Sequence, residues 1–166
     1  MCKIVFANKY LQVESIPYNG EDYFGLKLPD GAAVLAITDE REVILIKQFR
    51  PIVNQYTLEV PAGELDKGED PLAAAERELY EETGYRCNKL YFLGSGTQLA
   101  CRSTAKGFYY YGVGAKRDPN FVPKEDIEVV LIPKEHFREV VLSGELNHML
   151  GLSLVLLANW KYGVEL

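Results

Sequence analysis

The chain has 166 residues, 48% hydrophobic and 25% charged, with a formal net charge of −6. That is ordinary globular usage, long enough for one domain with a real core, and the acidic balance argues against a nucleic-acid partner. No apolar run approaches the roughly 18 residues of a membrane span, nothing reads as a signal peptide, and Cys2, Cys87 and Cys101 lack both a pairing framework and metal-ligand spacing, so a cytoplasmic protein with free thiols and no membrane partner is expected.

Residues 3–7 and 10–16 alternate enough for two short strands, Asn19-Gly20 marks a turn, and 23–28 is the next strand. Beyond Pro29-Asp30-Gly31, the apolar runs 32–37 and 43–46, split by Asp39-Glu40-Arg41, read as a hairpin of central strands. Residues 57–60 form a strand that leads through Pro61-Ala62-Gly63 towards a helix. Asp70 as N-cap and Pro71 at the first position open that helix, and Gly84 closes it as a left-handed C-cap. Strands are expected at 90–93, 108–113 and 128–132, and helices at 133–142 and 147–160. The last is apolar nearly all round, a core helix or a subunit contact. His136 and His148 stand alone and read as structural or exposed rather than as ligands. Strands on both sides of one helix, with more helices at the end, indicate an α/β sandwich around a mixed sheet, one domain over residues 1–166.

The helix between Asp70 and Gly84 carries the chemistry. At about 100° per residue Glu78, Glu81 and Glu82 fall on one side of it, next to an apolar stripe of Leu72, Ala75 and Leu79 that would face the sheet. Like charges at this spacing repel, and half-burial penalises them further. A solvated acidic face is one reading. A hard divalent cation is the other, because Mg²⁺ accepts carboxylate oxygens and substrate phosphates together. Gly63 is expected to let the chain turn tightly so that the carbonyl near Ala62 reaches such a cation. Arg77 has Glu81 four residues on, a surface pair worth less than about 1 kcal/mol. Glu69 is a supporting base or a first-turn charge favoured by the helix dipole.

Taken as fixed points, the segment from Gly63 to Tyr85 is Gly63, five residues, Glu69, seven residues, Arg77-Glu78-Leu79, one residue, Glu81-Glu82, one residue, Gly84 and a bulky Tyr85. This resembles the Nudix box, complete at every fixed position. The resemblance implies an α/β/α fold and metal-dependent hydrolysis of a nucleoside diphosphate linked to another moiety. It implies Glu78 and Glu82 as first metal ligands, Glu81 as a bridging ligand or base, and Arg77 as the residue that orients a catalytic carboxylate. Two or more Mg²⁺ ions are expected with substrate, Mn²⁺ being possible.

Lys47-Gln48-Phe49-Arg50-Pro51 and Leu58-Glu59-Val60-Pro61-Ala62-Gly63 resemble the ADP-ribose pyrophosphatase branch, which takes nucleoside diphosphate sugars; the likeness runs over roughly residues 8–160. It makes Arg50 a diphosphate contact, a strand-end charge being the alternative. Glu125 matches a catalytic loop Glu, with Asp126 as rival, and Arg102 and Lys106 lie where substrate-facing residues sit. ADP-ribose hydrolases of the branch usually carry a Pro in the loop after the box, where this chain has Gln98-Leu99-Ala100-Cys101-Arg102-Ser103. GDP-mannose therefore competes with ADP-ribose as substrate. Tyr10, Tyr18, Tyr23, Phe24 and Phe49 are available to stack a base. The branch commonly forms homodimers through N-terminal strands, for which the first thirty residues would serve. Rival readings are a hydrolase of nucleoside triphosphates or dinucleoside polyphosphates, and a catalytically silent sensor or RNA-binding module, which the retained glutamates disfavour.

Overall fold

The computed structural model describes residues 2–9 and 11–166. Strands β1 (Lys3–Ala7), β2 (Gln12–Tyr18) and β3 (Glu21–Lys27) form a three-stranded antiparallel sheet. Asn19 and Gly20 join the last two with φ of 52° and 83°, the pair of left-handed residues that a tight hairpin of this twist requires. The expected strand start at Tyr10 lies outside the described residues; β2 runs on past Ile16 to Tyr18.

The main sheet contains β4 (Gly31–Thr38), β5 (Glu42–Arg50), β6 (Gln55–Glu59), β7 (Ala62–Glu64), β8 (Tyr85–Arg86), β9 (Lys89–Thr97), β10 (Lys106–Arg117) and β11 (Ile127–Pro133). Its path is β11-β5-β4-β10-β8, with β6 on β5, β7 on β4 and β9 on β10. The β4–β10 pair is parallel and the others antiparallel, so the sheet is mixed. Three helices complete the chain: α1 (Pro71–Thr83), α2 (Lys134–Leu142) and α3 (Met149–Tyr162). Among the described residues no helix is long and apolar enough to cross a membrane.

Strand β4 explains the layering. Both its faces are covered, hence its continuous apolar run. Ala33, Leu35 and Ile37 pack with Phe137 of α2 and Leu154 and Ala158 of α3. Ala32, Val34 and Ala36 point the other way, onto Ala74, Ala75 and Leu79 of α1. The small side chains on this second face let α1 lie close to the sheet, and the result is an α/β/α sandwich of the expected class.

Three expectations change. Leu72 is 39% exposed, because it sits in the first turn of α1 and burial begins only at Ala74. Glu82, expected beside the buried face, is inside it: Ala75, Leu79, Glu82 and Thr83 make one buried arc. Residues 62–64 are a strand paired with β4 rather than a tight turn, with Gly63 opposite Ala32. Gly63 is not among the positive-φ residues.

Candidate active site

The caps of α1 fix the phase of its glutamates. The Asp70 carboxylate accepts from the N–H groups of Leu72 and Ala73 at 2.9 and 3.3 Å, and Gly84, at φ 74°, donates its N–H to the Tyr80 carbonyl. With both ends set, Glu82 points under the helix, 8% exposed, and accepts a 2.9 Å bond from the Ala62 N–H of β7. Burial, and then the charge of Glu78, push its carboxyl up to about 7, against the opposing pull of the Ala62 N–H, Lys124 and Arg50.

Glu78, beside Glu82, is partly buried, its side chain 12% exposed. It lies over Gly63, where a Cβ would come within 2.1–2.4 Å of its carboxyl group. Gly63 thus serves as an absent side chain that admits Glu78 rather than as a turn residue.

Arg77 locks this geometry. Its Nε and Nη2 donate to both oxygens of Glu69 at 2.9 and 2.8 Å, its Nη1 to Glu78 at 2.6 Å, and its Nη2 also to the Glu64 carbonyl at 2.9 Å. The surface pair anticipated with Glu81 is the long one, at 3.7 Å. Glu69 precedes α1 and accepts the Asp66 N–H as well. The bonds from Arg77, then from Asp66, hold its carboxyl down at about 2. Glu81 is half-exposed between Arg77 and Lys124, 3.7 Å from each.

No group of three His, Cys, Asp or Glu side chains among the described residues converges on one point as a finished metal cage. Glu78 is turned to Arg77 and Glu82 to the Ala62 N–H. The donor set nonetheless fits a hard cation: every side-chain donor is a carboxylate oxygen, the buried Glu82 and the partly buried Glu78 repel each other, and Gly63 leaves room for the Glu78 carboxylate.

Arg50 is bound to Glu59 through two parallel bonds, at 2.8 and 2.6 Å. Glu59 is 3% exposed and also accepts the Thr57 hydroxyl at 2.5 Å. Burial alone would raise this carboxyl, but the bonds from Arg50 and Thr57 outweigh it and hold it below its usual range. Arg50 is close enough to Glu82 for the two charges to act on one another.

The remaining candidates lie elsewhere. Glu125 and Asp126 border a cavity of about 310 Å³ with Lys47, Phe49 and Tyr56. Neither forms a hydrogen bond or ion pair with the α1 glutamates among the described residues; their neighbour Lys124 does, through Glu81. Arg102 borders a second cavity, of about 380 Å³, with Tyr18, Tyr23 and Phe24. Lys106 is held by its backbone N–H on the Asp30 carboxylate. Tyr10 lies outside the described residues. The cluster of Thr57, Glu59 and His148 was not anticipated. Its one sequence signal is a lone Glu inside the apolar stretch Leu58-Glu59-Val60, two residues from Thr57 and so on the same strand face.

The NUDIX domain model matches residues 27–143. An ADP-ribose pyrophosphatase of Bacillus subtilis is 46% identical over 83 residues, 50% of this chain and 42% of that protein. An ADP-sugar pyrophosphatase of Mus musculus is 64% identical over 44 residues, 26% of this chain and 20% of that protein. The matched stretch thus spans less than half the length of these relatives. A crystal structure of an ADP compounds hydrolase superposes with a TM-score of 0.81 at 23% identity, covering 100% of this chain and 95% of the other, which establishes the shared fold.

Proposed function

This chain belongs to the Nudix family, and on that premise we propose that it hydrolyses the diphosphate of a nucleoside diphosphate sugar, ADP-ribose first, to a nucleoside monophosphate and a sugar phosphate. The observation that carries the proposal is the pairing of the buried Glu82 with the partly buried Glu78 between α1 and β7, Glu78 being held by Arg77 and given room by Gly63. Like charges set side by side, one of them buried, are costly unless a cation joins them. The names of the similar stretches in bacteria and mouse favour ADP-linked sugars, whereas the proline-free segment 98–103 keeps GDP-mannose in contention.

Glu78, Glu82, Glu81 and the Ala62 carbonyl would hold divalent metal, Mg²⁺ or Mn²⁺, two or more ions with substrate. Such ions neutralise the diphosphate and lower the pKa of water. The protein's own groups have separable tasks. Arg77 holds Glu78 and Glu69 in place. Arg50 keeps its Nη1 donors for a phosphate oxygen while Nε and Nη2 stay on Glu59. Glu81, with Glu125 or Asp126 from the loop, takes the proton of the attacking water. Arg102 and the aromatic-lined cavity beside it suit the nucleoside end.

We place the protein in the cytoplasm, where Cys2, Cys87 and Cys101 remain thiols, and as a homodimer. The exposed Ile4, Phe6, Ile16, Tyr18 and Phe24 of the N-terminal sheet support that assembly; light scattering that returns a monomer mass at working concentration overturns it. The activity is tested by a Mg²⁺-dependent panel resolved by chromatography, containing ADP-ribose, GDP-mannose, ADP-glucose, UDP-glucose, diadenosine polyphosphates and dGTP. Release of a nucleoside monophosphate and a sugar phosphate is expected. Preference for triphosphates or dinucleotides overturns the substrate class, and silence across the panel overturns the activity.

A further inference from the structure

A groove of about 470 Å³ runs between the β5–β6 hairpin and the start of α3, and it is large enough for a hexose or pentose phosphate. Arg50 stands in it, along with Ile52 and Val53 of the hairpin loop, Gln55, Asn147 and His148. Beneath them Glu59 is saturated by Arg50 and Thr57, so it anchors the wall and offers little to a ligand.

Three features define the chemistry that fits. Arg50 is forked onto Glu59, three residues before Ala62, whose N–H holds Glu82, so the groove adjoins the end of the site where Arg50 would meet the diphosphate. Two amides and an imidazole line it beside the exposed aliphatic rim of Ile52 and Val53, without a Phe, Tyr or Trp ring among the described residues. A flat base would find no aromatic stacking partner there, but an array of hydroxyls finds donors and acceptors. Finally, the His148 Nδ1 is buried with no hydrogen-bond partner among the described residues, 3.6 Å from the Glu59 carboxylate, while its side chain is 40% exposed. The carboxylate favours the proton on Nδ1. The exposure then falls on the opposite edge, where Nε2 is left as an acceptor.

We propose that this groove holds the sugar-phosphate half of the substrate, with His148 as a specificity-determining residue that accepts a sugar hydroxyl at Nε2. The inference rests on the nucleoside diphosphate sugar reading and names where the non-nucleotide moiety sits.

The chain has 2 His residues, so a His136→Gln variant assigns the imidazole resonances of His148. The wild-type protein is titrated at fixed pH with ribose 5-phosphate, glucose 1-phosphate, AMP and inorganic phosphate. A sugar phosphate should move the His148 signals, and AMP and inorganic phosphate should leave them. Movement by AMP or by inorganic phosphate equal to that by the sugar phosphates overturns the proposal, as does no movement at all. This readout needs no turnover, so it stands apart from failure of the hydrolysis panel.

Kinetics separate ligand contact from support of Glu59. A Gln amide reaches the place of Nε2 and an Asn amide that of Nδ1. His148→Phe and His148→Asn should raise KM for the preferred sugar nucleotide about three- to ten-fold, with kcat held, and His148→Gln should raise it less. Equal rescue by Asn and Gln overturns the contact and confines His148 to supporting Glu59.

Discussion

Gly63 shows how one missing atom sets a site. A Cβ there would lie 2.1 Å from the Glu78 carboxyl carbon, so any side chain at this position evicts the carboxylate. The displaced group is the end of a flexible side chain, and the fold can absorb the change. Gly63→Ala should therefore keep its melting temperature within a few degrees, a shift of about 1 kcal/mol or less, yet lose at least about ten-fold in metal-dependent turnover. Thermal melts alongside steady-state rates check both halves; full activity would show that Glu78 has no need of this position. Arg77 makes the complementary case. Its fork spans Glu69, Glu78 and the Glu64 carbonyl at once, and a lysine ammonium cannot reproduce three directions. Arg77→Lys should keep its charge and still lose about 10- to 100-fold in kcat/KM, the range for residues that orient metal ligands.

At the scale of elements, α1 was legible because its signals are local. The Asp70-Pro71 start and the Gly84 stop are each read within a few residues, and both appear in the structure. The Asp70 cap is separable from the chemistry: Asp70→Ala should cost about 1 kcal/mol in urea unfolding and leave the KM for substrate unchanged. A cost several times larger would mean that the cap also holds the loop from Asp66 to Glu69. The apolar runs of β4 and β5 were legible for the same local reason. β7 was not, because three residues have no strand signature of their own; pairing with Gly31, Ala32 and Ala33 makes them a strand. The exposure of Leu72 was hidden too, since helical phase gives an angle but not the point along the helix where the sheet begins to cover it. Least legible was the Glu59–His148 approach. The two residues are far apart in sequence, and the docking of α3 against the main sheet brings them together.

For the whole molecule, the sandwich places a titratable group in the seam between helix and sheet. Glu82 has its carboxyl raised to about 7 from an ordinary 4.5, so the folded state binds the proton more tightly than the unfolded chain does. The stabilisation from that protonated form is complete below the unfolded value and disappears as pH rises through about 7. Each unit of displacement is worth about 1.4 kcal/mol, so the metal-free protein should lose several degrees of melting temperature between pH 5 and pH 8, at about 2–4 °C per kcal/mol. A divalent cation needs the ionised carboxylate and competes with that proton. Added Mg²⁺ should accordingly raise the melting temperature little at pH 5 and progressively more towards pH 8. Glu82→Gln supplies the control, since its amide mimics the protonated acid. The variant should melt at or above the metal-free wild type at pH 8, show no pH-dependent response to Mg²⁺, and turn over no substrate. A Mg²⁺ response of equal size at pH 5 and pH 8, or wild-type turnover by Glu82→Gln, would remove Glu82 from the metal site and leave its burial in the seam without a chemical reason.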